Sequence, residues 1–493
     1  MANWIDNLIG FISPEAGYKR EAYRNALNAM RSYDAGNYRG SNQNWHAVIE
    51  SAESEESWNR DTVRARARDL ERNSDIMNSI ISPFVRNVYG QGYKLKAHTG
   101  DDGTNAELEK LWKKWNKKQN CDVTGRQSFN EMMRTAVRRK KVDGGIIFLK
   151  CYTSGGLVPY KLQMLEVDEL DPMQTAPHFD GDRVINGIEY NQFNKPMGYW
   201  FRKYDISGYT TLNSEFHEAK DVIFIYSLKR PSQAREFSDM AQTITRVRDI
   251  NEFVNAVSVK ERVLACLSVF IKRALPPANG GMYGRGGNAP QSDERYQGKT
   301  LVPGMINYLS PGDEVQSVVP NGQAVEATGF IKQQTRMAGA GQGLSYEATS
   351  RDMSESNYSS ARQGSIEDDT TYDEEKELFL EAMDEIYEDF IISCVLKGKI
   401  ILKDFWDDKD KYFNHEWIKR PKKWIDPAKE ANADKIALEI GEKTFADLAA
   451  ERGKDWREQI DELAEIQQYA KSKGVNLTGG LNDTAAGKDR GNA

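Results

Sequence analysis

The chain has 493 residues, 39% of them hydrophobic and 29% charged; that is too long for one ordinary core and too apolar for the disordered class, so about two to four domains with a large polar surface are expected. Its 74 acidic against 67 basic side chains give a formal charge of −7, the wrong sign for a protein that grips nucleic acid tightly through counterion release. No apolar run approaches the ~20 residues of a membrane span, and residues 1–19 lack the basic start and cleavage site of a signal peptide, which points to the cytosol or a particle assembled there.

Residues 1–58 are polar and helix-prone, with a low-complexity loop at 34–44. From 61 to 88, Val63, Leu70, Met77, Ile80, Ile81, Phe84 and Val88 recur at helical spacing, and Pro83 is expected to kink or restart that helix. Arg64, Arg66, Arg68 and Arg72 crowd its first turns. A solvated face with ion pairs to a neighbour is the ordinary reading of such a run, and contact with DNA is the alternative. Residues 105–143 read as helix with Trp112, Trp115, Met132 and Val137 in the core. Strands follow at 146–152, 160–167, 184–190, 197–202 and 221–227, rich in β-branched and aromatic residues, with the turn-rich stretch 191–196 between the middle pair. Together these make an α+β domain of roughly 170 residues.

The strongest helical signal spans 238–275, where Val247, Ile250, Val254, Val257, Leu264, Leu267 and Ile271 keep a spacing of three and four. Ser238 with Asp239 offers an N-cap and Pro276-Pro277 a stop. At ~1.5 Å per residue such a helix would exceed ~50 Å, the length of a pillar rather than of a core element. Residues 278–298, rich in Gly, Asn, Pro and Ser, read as an exposed loop, followed by short strands at 304–309 and 313–318. A second helix is expected over 324–340, ended by the glycines of 339–343. A third covers 365–396 with Phe379, Met383, Ile386 and Phe390 on one face, its start marked by Glu367, Asp368 and Asp369. Helices at 428–439 and 444–474 precede a polar, disordered tail at 475–493.

Motifs for catalysis are missing. There is no GxxxxGK[ST] loop, no HExxH among His46, His98, His178, His217 and His415, and no GxSxG elbow. Cys121, Cys151, Cys266 and Cys394 show no CxxC spacing, so reduced, unpaired thiols are expected. Glu166, Asp168 and Asp171 cluster at a strand end, where carboxylates can hold Mg²⁺ in nucleases but more commonly just close the strand. No catalytic residue, metal or cofactor is assigned.

The segment 342–364, Gln-Gly-Leu-Ser-Tyr-Glu-Ala-Thr-Ser-Arg-Asp-Met-Ser-Glu-Ser-Asn-Tyr-Ser-Ser-Ala-Arg-Gln-Gly, resembles the signature of the lambda-like family of phage portal proteins. Gly343, Tyr346, Asp352, Asn357, Tyr358, Ser359, Ser360 and Arg362 carry most of the match. The arginine-rich stretch 64–73, residues 87–92, the strands around 184–199, residues 304–313 and residues 424–444 resemble further family segments in the same order, over roughly residues 20–470.

The resemblance implies a mainly helical α+β portal fold with a wing, a two-helix stem, a clip and a helical crown, assembled as a ring that usually holds twelve copies at one capsid vertex. On that plan residues 1–58 are an N-terminal extension, 59–237 the wing, 238–275 the first stem helix, 276–323 the clip and 324–344 the second stem helix. Residues 345–364 form the tunnel-loop region, 365–425 a long helix returning to the wing, 426–474 the crown and 475–493 the tail. The implied partners are double-stranded DNA passing without sequence specificity, the terminase large subunit, the major capsid protein and scaffold, and neck proteins, in a virion assembled in the host cytoplasm and without a membrane. Lys332, Arg336, Arg351, Asn357, Tyr358 and Arg362 are channel candidates, each cation alternatively an intersubunit ion pair, and Tyr283, Arg285 and Arg295 are candidates for docking the motor. Twelve copies would carry about −84 (12 × −7), a field that discourages DNA from sticking. The rivals are a scaffolding or minor capsid protein without a channel, and a nuclease using Glu166, Asp168 and Asp171.

Overall fold

The computed structural model describes residues 11–16, 18–20, 22–23, 43–211, 213–266, 270–273, 313–316, 324–419 and 427–475. Residues 1–55 form one unit and 56–493 another, and the elements below belong to the second.

Helix α1 (Arg60–Asn73) and helix α2 (Asp75–Phe84) divide the expected 61–88 helix. The break falls at Ser74 rather than Pro83, because the Ser74 hydroxyl accepts the Met77 N–H at 3.2 Å and starts a new helix. Pro83 stays inside α2, and Val85–Tyr89 then widen into a π turn that ends at Gly90. Strand β1 (Tyr93–Ala97) leads to α3 (Asp102–Trp115) and α4 (Phe129–Asp143). The single helix expected over 105–143 is thus interrupted, and Ser128 with Glu131 forms the capping box that restarts it.

Strands β2 (Gly145–Tyr152) and β3 (Tyr160–Leu165) pair antiparallel. The stretch expected as one strand over 184–190 is a hairpin, β4 (Arg183–Ile185) and β5 (Ile188–Tyr190), turned by Asn186-Gly187 with φ of 50° and 86°. Both signs are what a two-residue hairpin turn demands. β6 (Pro196–Phe201), β7 (Glu215–Glu218) and β8 (Val222–Tyr226) complete two sheets, ordered β3-β2-β8 and β4-β5-β6-β7.

β2 is buried on both faces, and its alternation explains how. Ile146 and Phe148 enter the large core with α2, α3 and α4, whereas Ile147 and Leu149 join Leu165, Ile188, Tyr199 and Phe201 in a second core between the sheets. All four expected core residues of the helical region are buried, with Trp115 stacked on Tyr160 at 5.7 Å and its indole N–H donating to the Tyr160 carbonyl at 3.0 Å.

Helix α5 (Ala241–Cys266) is about 39 Å long at ~1.5 Å per residue, shorter than expected. Ile271 lies instead on strand β9 (Phe270–Arg273), paired antiparallel with β10 (Asp313–Gln316). The periodic stripe misleads there because a β-branched Ile suits a strand as well as a helix face. Helix α6 (Ala324–Ala340) and the short α7 (Tyr346–Ser350) follow. Helix α8 (Tyr358–Leu396) begins earlier than the expected Ser365, so Glu367, Asp368 and Asp369 lie inside it and do not mark its start. Phe379, Met383, Ile386 and Phe390 are buried on one face of α8, as expected. Strand β11 (His415–Lys419) pairs with β1 across more than 300 residues, and α9 (Pro427–Glu439), α10 (Phe445–Glu451) and α11 (Trp456–Ser472) close the described chain. No helix among the described residues is long and apolar enough to cross a membrane.

The expectations for 278–298, 304–309 and 476–493, together with Tyr283, Arg285 and Arg295, lie outside the described residues.

Candidate functional site

Helices α5 and α6 run antiparallel and side by side. Arg246 donates to Gln334 Oε1 at 2.7 Å, the Phe253 and Phe330 rings lie 4.8 Å apart, and Gln242 donates to the Gly341 carbonyl. Among the described residues, α5 reaches the core through its first part, by Ile244, Val247 and Ile250. Farther along the pair Val254, Val259 and Phe330 are exposed.

The signature segment builds the corner where α6 turns back into α8. The buried Gln342 amide donates to the Asp239 carbonyl at 3.0 Å and to the Thr243 hydroxyl at 2.8 Å, pinning the end of α6 to the start of α5. Gly343 adopts φ +71°, and a Cβ there would meet Thr371 Oγ1 at 2.8 Å, so the position excludes a side chain on two counts. Ser345 caps α7 through Ala348 N–H while its own N–H and hydroxyl donate to Asp368 at 2.6 and 2.7 Å. This explains Asp368: it belongs to the α7 corner and not to a helix start. Asn357 caps α8 in a reciprocal box with Ser360. Within the segment 342–364, Gly343, Ser345, Asn357 and Ser360 therefore serve one tight turn and two helix caps.

Between the two caps, residues 351–356 form a surface loop. Arg351 sits at φ +58°, Asp352 accepts the Ser354 N–H at 3.0 Å, and Ser356 donates to Glu347 Oε1 at 2.6 Å. These bonds hold the Glu347 and Asp352 carboxyls below their usual range, with the Ser356 and Ser354 bonds as the main causes. Glu355 pairs with Lys332 and, at 3.7 Å, with Arg336. Both cations also lie over the Tyr346 ring, at 5.5 and 5.0 Å from its centroid. Within this chain Lys332 and Arg336 thus pair with Glu355. Arg351 and Arg362 are exposed, and Ser359 faces solvent beside the cap. Tyr358 opens α8. Lys332 and Arg336, one helical turn apart, were singled out as channel candidates; Glu355 as their partner was not.

The arginine-rich α1 proves to be structural. Arg64 binds Asp168 and Glu236, each at 2.9 Å, and Arg68 binds Asp143 at 2.7 Å, Asp168 at 2.5 Å and Glu166 at 3.1 Å. Arg64 is buried and Arg68 three-quarters so, which corrects the solvated-face expectation for these two, while Arg66 and Arg72 do face solvent. Burial opposes the charge on Arg68, yet the surrounding carboxylates raise its pKa overall. All three candidate nuclease carboxylates consequently face guanidinium groups, Glu166 and Asp168 that of Arg68 and Asp171 that of Arg202 at 4.0 Å, and Asp171 also accepts the Met173 N–H at 3.0 Å. Among the described residues no group of three or more His, Cys, Asp or Glu is placed to hold a metal ion.

Another buried cluster had no sequence signal. Lys140 and Lys141 on α4 meet Asp239 ahead of α5 and Glu375 on α8. Ser238 donates to the Val142 carbonyl at 2.6 Å, so Ser238 and Asp239 tie α5 to α4, and the helix itself begins at Ala241.

Comparison with known proteins gives one family. Residues 38–376 match the model of the phage portal protein, lambda family. The probable portal protein of Halomonas phage phiHAP-1 is 24% identical over 435 residues, covering 84% of this chain and 82% of that protein. Portal protein B of Escherichia phage lambda is 20% identical over 479 residues, covering 88% and 89%. Among solved structures, a chain from the virion of a native gene transfer agent particle aligns with a TM-score of 0.44 at 15% identity, covering 80% of this chain and 94% of that one.

Proposed function

The chain belongs to the lambda family of phage portal proteins, and from that premise we propose that twelve copies close into a ring at one vertex of the capsid, through which double-stranded DNA enters, is retained and leaves. The observation that carries the reading is the antiparallel α5–α6 pair, which keeps Val254, Val259 and Phe330 uncovered and has the paired strands β9 and β10 between its two helices in the sequence. A lone chain gains nothing from exposing such side chains, whereas neighbours in a ring cover them. In this plan α5 and α6 are the stem, residues 59–237 the wing, 276–323 the clip and 426–474 the crown.

DNA passes without sequence readout, meeting the corner loop at Arg351, Arg362 and the Lys332–Arg336 face. The clip, with Tyr283, Arg285 and Arg295, docks the terminase large subunit during packaging and neck proteins afterwards. The wing is held by the major capsid protein and scaffold. Assembly takes place in the host cytoplasm and the product stays at the portal vertex of the virion.

Electron microscopy of the purified chain tests the reading. Closed rings with a central hole wide enough for a duplex are expected, and a chain that stays monomeric at every concentration refutes it. The same images separate it from a scaffold without a channel, and the arginine-paired Glu166 and Asp168 disfavour a nuclease.

A further inference from the structure

We propose that Lys332, Arg336 and the Tyr346 ring form a site for one phosphate group, occupied in the resting chain by the carboxylate of Glu355. The inference rests on the channel reading above and adds to it a built-in competitor for the DNA backbone.

Four observations lead there. The two cations come from one face of α6, and the same Glu355 Oε2 pairs with both. A carboxylate bridging a Lys and an Arg occupies the place a phosphate oxygen would take, since both ligands are compact oxyanions that accept charge-assisted hydrogen bonds. Glu355 is also 68% exposed, so its pairing is solvent-screened and weak enough to be exchanged. Finally, releasing Glu355 leaves the loop fold standing. The loop is fastened on either side by the Ser356–Glu347 bond and the Asn357–Ser360 cap, neither of which involves the Glu355 side chain. The exchange therefore needs only a side-chain rotation.

The charge balance of the corner makes Glu355 decisive. Among the side chains of α7, the 351–356 loop and the two α6 cations they meet, Lys332, Arg336 and Arg351 oppose Glu347, Asp352 and Glu355, so this set is neutral with Glu355 in place and carries one net positive charge without it. Glu347 and Asp352 are engaged by Ser356 and by Ser354, which leaves Glu355 as the carboxylate that can withdraw. Such a site takes hold of a passing phosphate briefly and is refilled from within when that phosphate moves on. Tyr346 supplies a flat floor that keeps both cations over the site as the anion changes.

The test uses the full chain, imaged first for rings, and a short end-labelled DNA duplex of mixed sequence titrated by fluorescence anisotropy over a range of salt. Glu355→Gln is expected to tighten binding about three- to tenfold at low salt and to steepen the log–log salt dependence by about 0.9 for each additional phosphate the ring neutralises. Adding Lys332→Ala and Arg336→Ala to Glu355→Gln should return both quantities to the wild-type values or below. Rings that form normally but show the same affinity and salt slope with and without Glu355 overturn the phosphate site alone. A tightening that survives removal of both cations overturns it too, since the anion then binds elsewhere. Wild-type protein that forms no rings overturns the channel reading, and the proposal falls with it.

Discussion

Replacing Asp239 by asparagine removes one of the two carboxylates that neutralise the buried Lys140 ammonium. Lys140 Nζ lies 2.9 Å from Asp239 and 2.7 Å from Glu375, and Lys141 and Lys229 approach Asp239 at 3.5 and 3.1 Å. Burial pushes the Asp239 carboxyl up, but the three ammonium groups outweigh it and hold the pKa at about 2, against an ordinary 3.8. The folded value is depressed, so as pH falls the unfolded chain takes up the proton first. The stabilisation is complete above the ordinary carboxylate value and is lost as pH falls towards about 2. A shift of this size is worth about 2 kcal/mol at neutral pH. Asp239→Asn should therefore be less stable by about that amount at about pH 7, with the gap narrowing by about pH 3. Urea unfolding followed by tryptophan fluorescence reads the difference, with both proteins at the same protomer concentration because assembly adds to apparent stability. Glu375 is common to both proteins and cancels. A gap of equal size at both pH values, or none at neutral pH, would show that the cluster does not hold α4 to α5 electrostatically.

Gly343→Val forces a branched side chain into φ +71° and against Thr371; it should lower stability by about 2–3 kcal/mol, read as a drop in urea midpoint, and a neutral substitution would mean the corner is not tight. Phe148→Ala opens a cavity in the core beside α4 and should cost about 3–5 kcal/mol in the same assay, a loss below ~1 marking that core as loosely packed. Arg351→Glu and Arg362→Glu, both at exposed positions, should leave melting unchanged but lower the DNA retained per particle; unchanged packaging and retention would remove both from the channel wall. Asp168→Asn loses its ion pairs to Arg64 and Arg68 and should cost about 1–3 kcal/mol. Plasmid DNA incubated with wild-type protein and Mg²⁺ should stay intact, and magnesium-dependent nicking would restore the nuclease alternative.

Periodicity was legible wherever one face meets the core and the opposite face meets water. That holds for α8, whose buried Phe379, Met383, Ile386 and Phe390 were readable, and for α3 and α4 with Trp112, Trp115, Met132 and Val137. Boundaries were less legible because local chemistry decides them. Ser74 ends one helix by capping the next, and Asn357 with Ser360 starts α8 inside a segment that reads as a loop. Long-range pairing was not legible at all. β1 and β11 lie more than 300 residues apart in the chain, and no local signal in either strand names its partner. The buried charges were misjudged for the same reason. Lys140 and Arg64 look like surface residues until the fold supplies Asp239, Glu375 and Glu236 from distant segments.

The distribution of positive charge follows from those internal pairings. Arg64, Arg68, Lys140, Lys141, Lys150 and Arg235 are all engaged by carboxylates in or at the edge of the core. These cations fix how α1, α4, α5 and α8 meet, and they offer nothing to a passing polyanion. At the signature corner the exposed cations are few and nearly balanced by Glu347, Asp352 and Glu355. A strongly basic corner would bind each phosphate firmly, and with about 0.9 counterions released for each phosphate neutralised the summed grip of many copies would resist translation. A strongly acidic one would repel the duplex. On the proposed channel reading, near-neutrality with one exchangeable carboxylate lies between these extremes and suits a surface that centres a duplex without holding it.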